Sequence, residues 1–438
     1  MMASEATIPT RNRRPLLTLY AATLISVTGD AMAAIAVPWF VLMTTGSAIQ
    51  TGIAAFFSIT PIVIGMLFGG TLVDRTGFKR ASIAADLASG TTILLIPLLH
   101  FSVGLPFPVL LGLVFLTNLL DAPGAAARRS MLPELAKEAG IPMEKATAYS
   151  ESVRRATTMI GAPVAGLLVT ALGAPVVLLI DAATFFVSAA AITLLIPVTL
   201  VVKQKRADAS RTSFALDFAE GFRFVRRDNL IVQIFVILMI TNMIHTASFA
   251  VSLPVWAETV YGAEHGATTL GFLIGVLSAA SLVGALLYSL VATRLPRRSL
   301  LAFGFAAAGL MQLAVAAVPP VWVLALFAIL SGIAVSPLNP LFNTFLYERI
   351  PVELRARVFG VLSAGEMVTM PAGALAAGFL MEGLGPQRAF VLYGVVYLAA
   401  ALVFRFSPAM RELEGPTPAA DGKSSALRDS AKEEGAIA

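Results

Sequence analysis

The chain of 438 residues is too apolar for a soluble protein, with 57% hydrophobic and only 13% charged residues, against about 25% charged in soluble domains. Its mean hydropathy is +0.84. It has no cysteine and only three scattered histidines, which excludes disulfide scaffolds and thiolate metal sites. We therefore expect no metal and no cofactor. The net charge of +5 we assign to loops beside a membrane, not to a nucleic-acid partner.

Twelve apolar segments are each long enough to cross a bilayer, which takes about 20 residues. In the first half they are Leu16–Thr44, Thr51–Val73, Ala81–Phe101, Phe107–Ala127, Ala148–Leu172 and Pro175–Val202. In the second half they are Leu230–Ala257, Thr268–Val291, Leu300–Val318, Val321–Phe345, Val358–Gly383 and Gln387–Phe406. The sequence thus predicts an all-α integral membrane protein with twelve transmembrane helices.

The basic residues predict the orientation of these spans. With the N-terminus in the cytoplasm, 30 of the 31 Lys and Arg residues fall on the cytoplasmic side, and Arg388 alone falls outside. Cytoplasmic loops are enriched in Lys and Arg. We therefore expect both termini to be cytoplasmic, in the plasma (inner) membrane of a bacterium.

A repeat at an offset of 212 residues divides the chain into two pseudo-symmetric six-helix halves. Gly161, Gly166 and Gly173 correspond to Gly373, Gly378 and Gly385, and Asp30 corresponds to Asn242. Paired halves of this kind are typical of alternating-access carriers, which bind substrate where the halves meet.

The sequence predicts four regions. They are an N-terminal half (1–202), a cytoplasmic linker (203–229), a C-terminal half (230–408) and a disordered cytoplasmic tail (409–438). In the linker, Phe214, Phe218, Phe222 and Val225 recur at helical spacing beside several arginines. This pattern predicts an amphipathic helix on the cytoplasmic leaflet, in contact with membrane lipids, although a solvated linker is the alternative.

The turn after the second span carries a recognisable motif. It comprises Gly70, Asp74, Arg75, Gly77, Lys79 and Arg80. The motif resembles the G-x-L-x-D-R-x-G-R-K loop of the major facilitator superfamily, with Phe78 in place of a basic residue. Gly77 suits the positive φ of a tight turn. The resemblance implies that Asp74 faces a helix N-terminus and latches the cytoplasmic side shut; an ordinary basic turn is the alternative.

A resemblance to a more specific group within that superfamily covers nearly the whole chain. The segments Arg128–Glu134, Gly161–Gly166, Gly29–Asp30 and Glu220–Val225 are similar to the third group of drug–proton antiporters. That group includes macrolide and siderophore exporters, and the pattern is most similar to its Tap-type multidrug pumps, which export tetracyclines and aminoglycosides. The resemblance implies proton-coupled drug efflux by a monomer.

Two features depart from the pattern of that group, a motif in the fifth span and an arginine in the fourth. Gly161, Pro163 and Gly166 match part of the antiporter motif G-P-x-x-G-G, but Ala162 and Leu167 replace two of its glycines. The fourth predicted span also lacks the embedded arginine that many drug–proton antiporters carry. A carboxylate would therefore have to carry protons without that arginine.

Ionisable residues within spans are expensive and indicate functional sites. Asp30 lies near the bilayer midplane, where desolvation disfavours its charged form, so we expect it to carry the proton; a structural role at a broken helix is the alternative. Glu366, Asp121 and His245 are further candidates, although Asp121 could instead pair with Arg128 and His245 could be a hydrogen-bonded core residue. Asp86 we expect to pair with a cytoplasmic arginine. Asp181 we place near the outer end of its span, within reach of water.

The substrate cavity is predicted to be apolar. Its candidate residues are Trp39, Phe56, Phe57, Asn242, Phe249 and Trp256. Sparse midplane polarity favours an exporter of diverse drugs over a dedicated exporter or importer of one metabolite such as a siderophore, sugar or lipid. An intramembrane enzyme is a remote alternative, because Val27 stands where the G-x-G-D motif of an aspartyl protease needs glycine, and the chain has no zinc-binding H-E-x-x-H sequence.

Overall fold

The computed structural model describes residues 12–197, 214–291 and 295–414, without the side chains of 66–72, 74, 75, 158, 214–217 and 291. These parts are helical. The helices of the first half are α1 (Arg14–Thr45), α2 (Ala48–Thr76), α3 (Phe78–Ser102), α4 (Phe107–Ala139), α5 (Met143–Leu172) and α6 (Ala174–Leu195). The others are α7 (Phe214–Arg227), α8 (Asn229–Ala247), α9 (Leu253–Val291), α10 (Arg297–Ala317), α11 (Val321–Val335), α12 (Leu338–Arg349), α13 (Arg355–Leu384) and α14 (Pro386–Phe406).

The described residues contain eleven helical segments that are long and apolar enough to cross a membrane. One of them, Asn229–Leu290, has 62 residues, whereas a single span needs about 20. Gly262 interrupts it with a φ of 68° and a ψ of −179°, a backbone conformation that glycine tolerates without steric cost. This segment therefore supplies two spans, and the predicted all-helical, twelve-span fold is confirmed.

Two predicted boundaries were wrong. The fourth helix does not end at Ala127 but continues to Ala139, so that Arg128 belongs to it. The predicted disordered tail begins too early, because Ala409–Leu413 form a 3₁₀ helix in which Met410 and Leu413 are buried. Residues 415–438 lie outside the described part of the chain.

The chain divides into two compact units. Unit 1 comprises Met1–Ala207 and Ala257–Gly275, and unit 2 comprises Asp208–Trp256 and Val276–Ala438. The segment Ala257–Gly275 thus packs with unit 1, although the sequence assigns it to the C-terminal half. The other boundaries of the four predicted regions stay predictions.

Each unit contains the same helix contact at the predicted offset. In unit 1, a Cβ on Gly161 of α5 would lie 2.7 Å from the Cβ of Ala31 on α1. In unit 2, a Cβ on Gly373 of α13 would lie 2.8 Å from the side chain of Met243 on α8. Both positions differ by 212 residues between the units, so the repeat in the sequence is also a repeat in helix packing.

Candidate functional site

The core of unit 1 contains a buried ion pair between α3 and α4. Arg128 Nη1 lies 2.5 Å from Asp86 Oδ1, and the two side chains are only 5% and 0% exposed. Ser188 of α6 donates to the other carboxylate oxygen of Asp86 at 2.7 Å. The expected pairing of Asp86 with an arginine is confirmed, and Ser188 completes its hydrogen bonding.

The fourth helix does contain a buried arginine, Arg128, which the predicted span Phe107–Ala127 left out. The residue lies in α4 and donates through Nη2 to Asp121 Oδ1 at 3.3 Å. Asp121 lies near the middle of α4 and is 23% exposed. Sequence analysis missed Arg128 because it ended the helix at Ala127, directly before Arg128, whereas the helix continues to Ala139.

Asp181 lies where α6 crosses α1, and it is only 1% exposed. The expectation that water reaches it was therefore wrong. Its carboxylate lies 3.5 Å from the Thr184 hydroxyl. A Cβ on Gly29 would overlap both the Asp181 carboxylate and the Thr184 hydroxyl, so glycine at position 29 permits this close crossing.

Asp30 follows Gly29 at the midpoint of the 32-residue helix α1. It is partly exposed, and no described residue forms an ion pair or a hydrogen bond with its carboxylate. It interacts electrostatically with Asp121, Asp181, Arg128 and Asp86. Among the described residues of unit 1, Arg128 thus has Asp86, Asp121 and Asp30 within electrostatic range, and Asp181 completes the cluster through Asp30 and Asp121.

The polar candidates of unit 2 are less closely grouped. His245 is exposed on α8 rather than held in the core, with its ring 4.5 Å from that of Phe249. Asn242 precedes it by one turn and is partly exposed. Glu366 lies on α13, also partly exposed, next to Gly365, which packs on the Phe235 ring of α8.

A π-helical turn at Ser248–Ser252 joins α8 to α9 and was not predicted. Ser248 donates to Gln312 of α10 at 3.3 Å, and Ser252 shares a hydrogen bond with the Tyr393 hydroxyl of α14 at 3.1 Å. Such turns often mark functional sites. No sequence signal identified this one, because single Ser residues are common in apolar helices.

The loop motif turns as predicted at Gly77, whose φ is 87°. Lys79 donates through Nζ to the carbonyl oxygens of Thr193 at 2.9 Å and Ile196 at 2.6 Å, so it caps the end of α6 within unit 1. Arg80 is exposed. Gly70, Asp74 and Arg75 lie outside the described side chains, and the latch stays a prediction.

The partial antiporter motif of α5 forms a close helix contact inside unit 1. A Cβ on Gly166 would overlap the Ala267 carbonyl oxygen and lie 3.1 Å from Gly271 Cα. A Cβ on Gly275 would overlap the ring of Pro163. Small residues on both helices allow their backbones to touch, as is common in membrane proteins.

The aromatic cavity candidates fall into two groups. Trp39 and Trp256 are buried, at 3% and 0% exposure; Trp39 packs on Gly266, and Trp256 contacts the edge of Phe390. Phe56 and Phe57 of α2 are partly exposed, with ring centroids 5.8 Å apart. The two tryptophans therefore belong to the packed interior of their units.

The geometry of the site does not by itself identify the protein family, and comparison with known families does. The family model of the Major Facilitator Superfamily matches residues 19–287 and 239–433, which together span nearly the whole chain. The chain belongs to the major facilitator superfamily. It is accordingly a multi-pass membrane transporter of small molecules and not an enzyme.

Two named relatives of this transporter are efflux proteins. It is 32% identical over 412 residues to the multidrug efflux pump Tap of Mycobacterium tuberculosis, covering 92% of this chain and 96% of that protein. The macrolide efflux protein A of Streptococcus pyogenes is 22% identical, covering 91% and 96%. The solved nucleoside transporter NupG shares the fold, with a TM-score of 0.76 at 12% identity over 89% of this chain and 98% of that one.

Proposed function

We propose that this transporter exports structurally diverse drugs, such as tetracyclines, aminoglycosides and macrolides, in exchange for protons. The identity of 32% over nearly its full length to a multidrug efflux pump supports the drug-export part. The cluster of four carboxylates and one arginine in unit 1 supports the proton-coupling part, and it is the observation that carries the proposal.

The charge balance of the cluster is the physical argument. Arg128 neutralises one carboxylate, and its shortest contact is to the fully buried Asp86. Three further carboxylates then remain without neutralisation by Arg128. They are Asp30, Asp121 and Asp181, and they lie within electrostatic range of one another. Charged groups in a bilayer cost several kcal/mol each, so a carboxylate without a counter-ion is a candidate for proton carriage. Asp30 is the member that we assign to proton exchange, because it is partly exposed and lacks a described partner.

We place this transporter in the bacterial inner membrane with both termini in the cytoplasm. The Lys and Arg distribution in the sequence supports that orientation. We further propose that it acts as a monomer whose partners are drugs, protons and membrane lipids.

Everted membrane vesicles with an imposed pH gradient test the proposal. Drug uptake is measured for a panel of unrelated compounds, with and without collapse of the gradient by an uncoupler. We expect gradient-dependent accumulation of several compounds. Uptake of one metabolite alone would instead indicate a dedicated carrier, and uptake indifferent to the gradient would contradict proton coupling.

The charge of the drug sets the expected driving force. If one proton enters as one monovalent cation leaves, no net charge moves, and only the pH gradient drives export, at about 1.4 kcal/mol per pH unit. A neutral drug exchanged for one proton gains about 2.3 kcal/mol more per 100 mV of membrane potential. We therefore expect valinomycin and K⁺, which collapse the potential, to slow export of neutral drugs but not of monovalent cations.

A further inference from the structure

We infer that α7 binds anionic phospholipid headgroups of the leaflet at which α8 enters the membrane. The inference uses the proposed orientation only to name that leaflet as cytoplasmic. It concerns a surface of unit 2 that has no role in the proposed proton exchange.

One face of α7 is fixed to α13. Gly221 packs on the backbone of Arg357, where a Cβ would lie 2.6 Å from the carbonyl oxygen. Glu220 Oε2 lies 2.5 Å from Arg357 Nη1, and Val225 is only 3% exposed. This anchoring leaves the remaining surface of the helix to face outward.

The outward surface is both aromatic and basic. Phe218 and Phe222 are 39% and 46% exposed, one helical turn apart. Arg223, Arg226 and Arg227 are all exposed, and none of them forms an ion pair with another described residue. Glu220 is the one acid among the described side chains of α7, and Arg357 already neutralises it. The surface thus complements a phosphate-bearing lipid layer, with rings placed for the acyl boundary.

The position of α7 fixes it beside the membrane. Only Asp228 lies between the last residue of α7, Arg227, and the first residue of α8, Asn229. Asp228 caps α8 by accepting a hydrogen bond from Leu230 N at 3.1 Å. Arg349 binds the other carboxylate oxygen of Asp228 at 2.5 Å. The basic residues are therefore held directly at the end of a span, where they attract anionic lipid electrostatically.

The absence of cysteine from the chain makes a site-specific test direct. Phe222→Cys is labelled with an environment-sensitive fluorophore in the full-length protein. The protein is reconstituted in vesicles of phosphatidylcholine with about one third phosphatidylglycerol, with bromine quenchers on one lipid or the other. We expect brominated phosphatidylglycerol to quench at least about twofold more per molecule than brominated phosphatidylcholine. A label at Val395→Cys, exposed in the middle of α14, is the control and should show no preference.

Two matched variants separate charge from helix docking. Replacing Arg223, Arg226 and Arg227 by Gln should equalise quenching by the two lipids, whereas replacing them by Lys should preserve the preference. Equal quenching in the parent protein, a preference that survives in the Gln variant, or its loss in the Lys variant would overturn the proposal. No quenching by either lipid would also overturn it and would indicate a soluble partner for this face. Because quenching is measured without transport, its result does not depend on whether the proposed drug export is correct.

Discussion

Arg128 and Asp86 form an ion pair at 2.5 Å in the interior of unit 1, although 42 residues separate them in the sequence. Neither side chain is accessible enough to be hydrated. The pair joins α3 to α4, and Ser188 ties it to α6. It leaves Asp121 with the longer and weaker contact to the same guanidinium.

We expect Arg128→Gln to destabilise the protein by about 3–5 kcal/mol, because it leaves the buried Asp86 charge without compensation. The double variant Asp86→Asn/Arg128→Gln should recover much of that loss. Thermal unfolding in detergent, monitored by size-exclusion chromatography, measures this loss of stability. A double variant no more stable than Arg128→Gln alone would show that the pair is not the source of the stability.

Asp30→Asn should abolish accumulation of drug against a gradient, because an amide cannot take up and release a proton. Substrate binding and downhill exchange should remain partly intact. Uptake into everted vesicles and binding to purified protein measure the two properties. The control is Glu151→Gln, which removes an acid that is 41% exposed and paired on the surface with Arg154. If Asp30→Asn still accumulates drug, the proton travels elsewhere, and Glu366 is the next candidate.

Lys79→Met should lower thermal stability by about 1 kcal/mol, because the carbonyl oxygens of Thr193 and Ile196 lose a charged donor at a helix C-terminus. The neighbouring variant Arg80→Met changes an exposed residue and should leave the unfolding temperature unaltered. Unit 2 has an equivalent contact, in which Arg298 Nε donates to the carbonyl oxygen of Phe404 at 2.7 Å. Equal stability of the two variants would contradict a capping role for Lys79.

Gly166→Ala should destabilise the protein by about 1–3 kcal/mol through overpacking. The added Cβ meets backbone atoms of Ala267 and Gly271, which cannot move aside as a side-chain end can. Gly360→Ala is the matched control, since no heavy atom lies within 4 Å of its added Cβ and Ala is the better helix former. The expression level and unfolding temperature of Gly166→Ala and Gly360→Ala are measured side by side. Equal values for the two variants would contradict the packing argument.

The sequence alone determined the features that depend on local chemistry and on periodicity. Length and hydropathy specify the spans, because each must cross a bilayer of fixed thickness. The glycine spacing revealed the repeat that recurs as the contacts of Gly161 and Gly373. The positive φ of Gly77 followed from the turn motif, since few other residues adopt it at low cost.

Only the tertiary structure decided which ionisable groups meet. From the sequence, Arg128 resembled a loop residue, whereas the structure shows that α4 continues past it. A charged residue near a helix end gives no sign of whether a neighbouring helix will bury its side chain. Asp181 looked accessible by its distance from the end of a span, yet the crossing of α1 and α6 at Gly29 buries it. Partners such as Asp86 and Ser188 lie 102 residues apart, and their pairing depends on how helices pack, which no local pattern encodes.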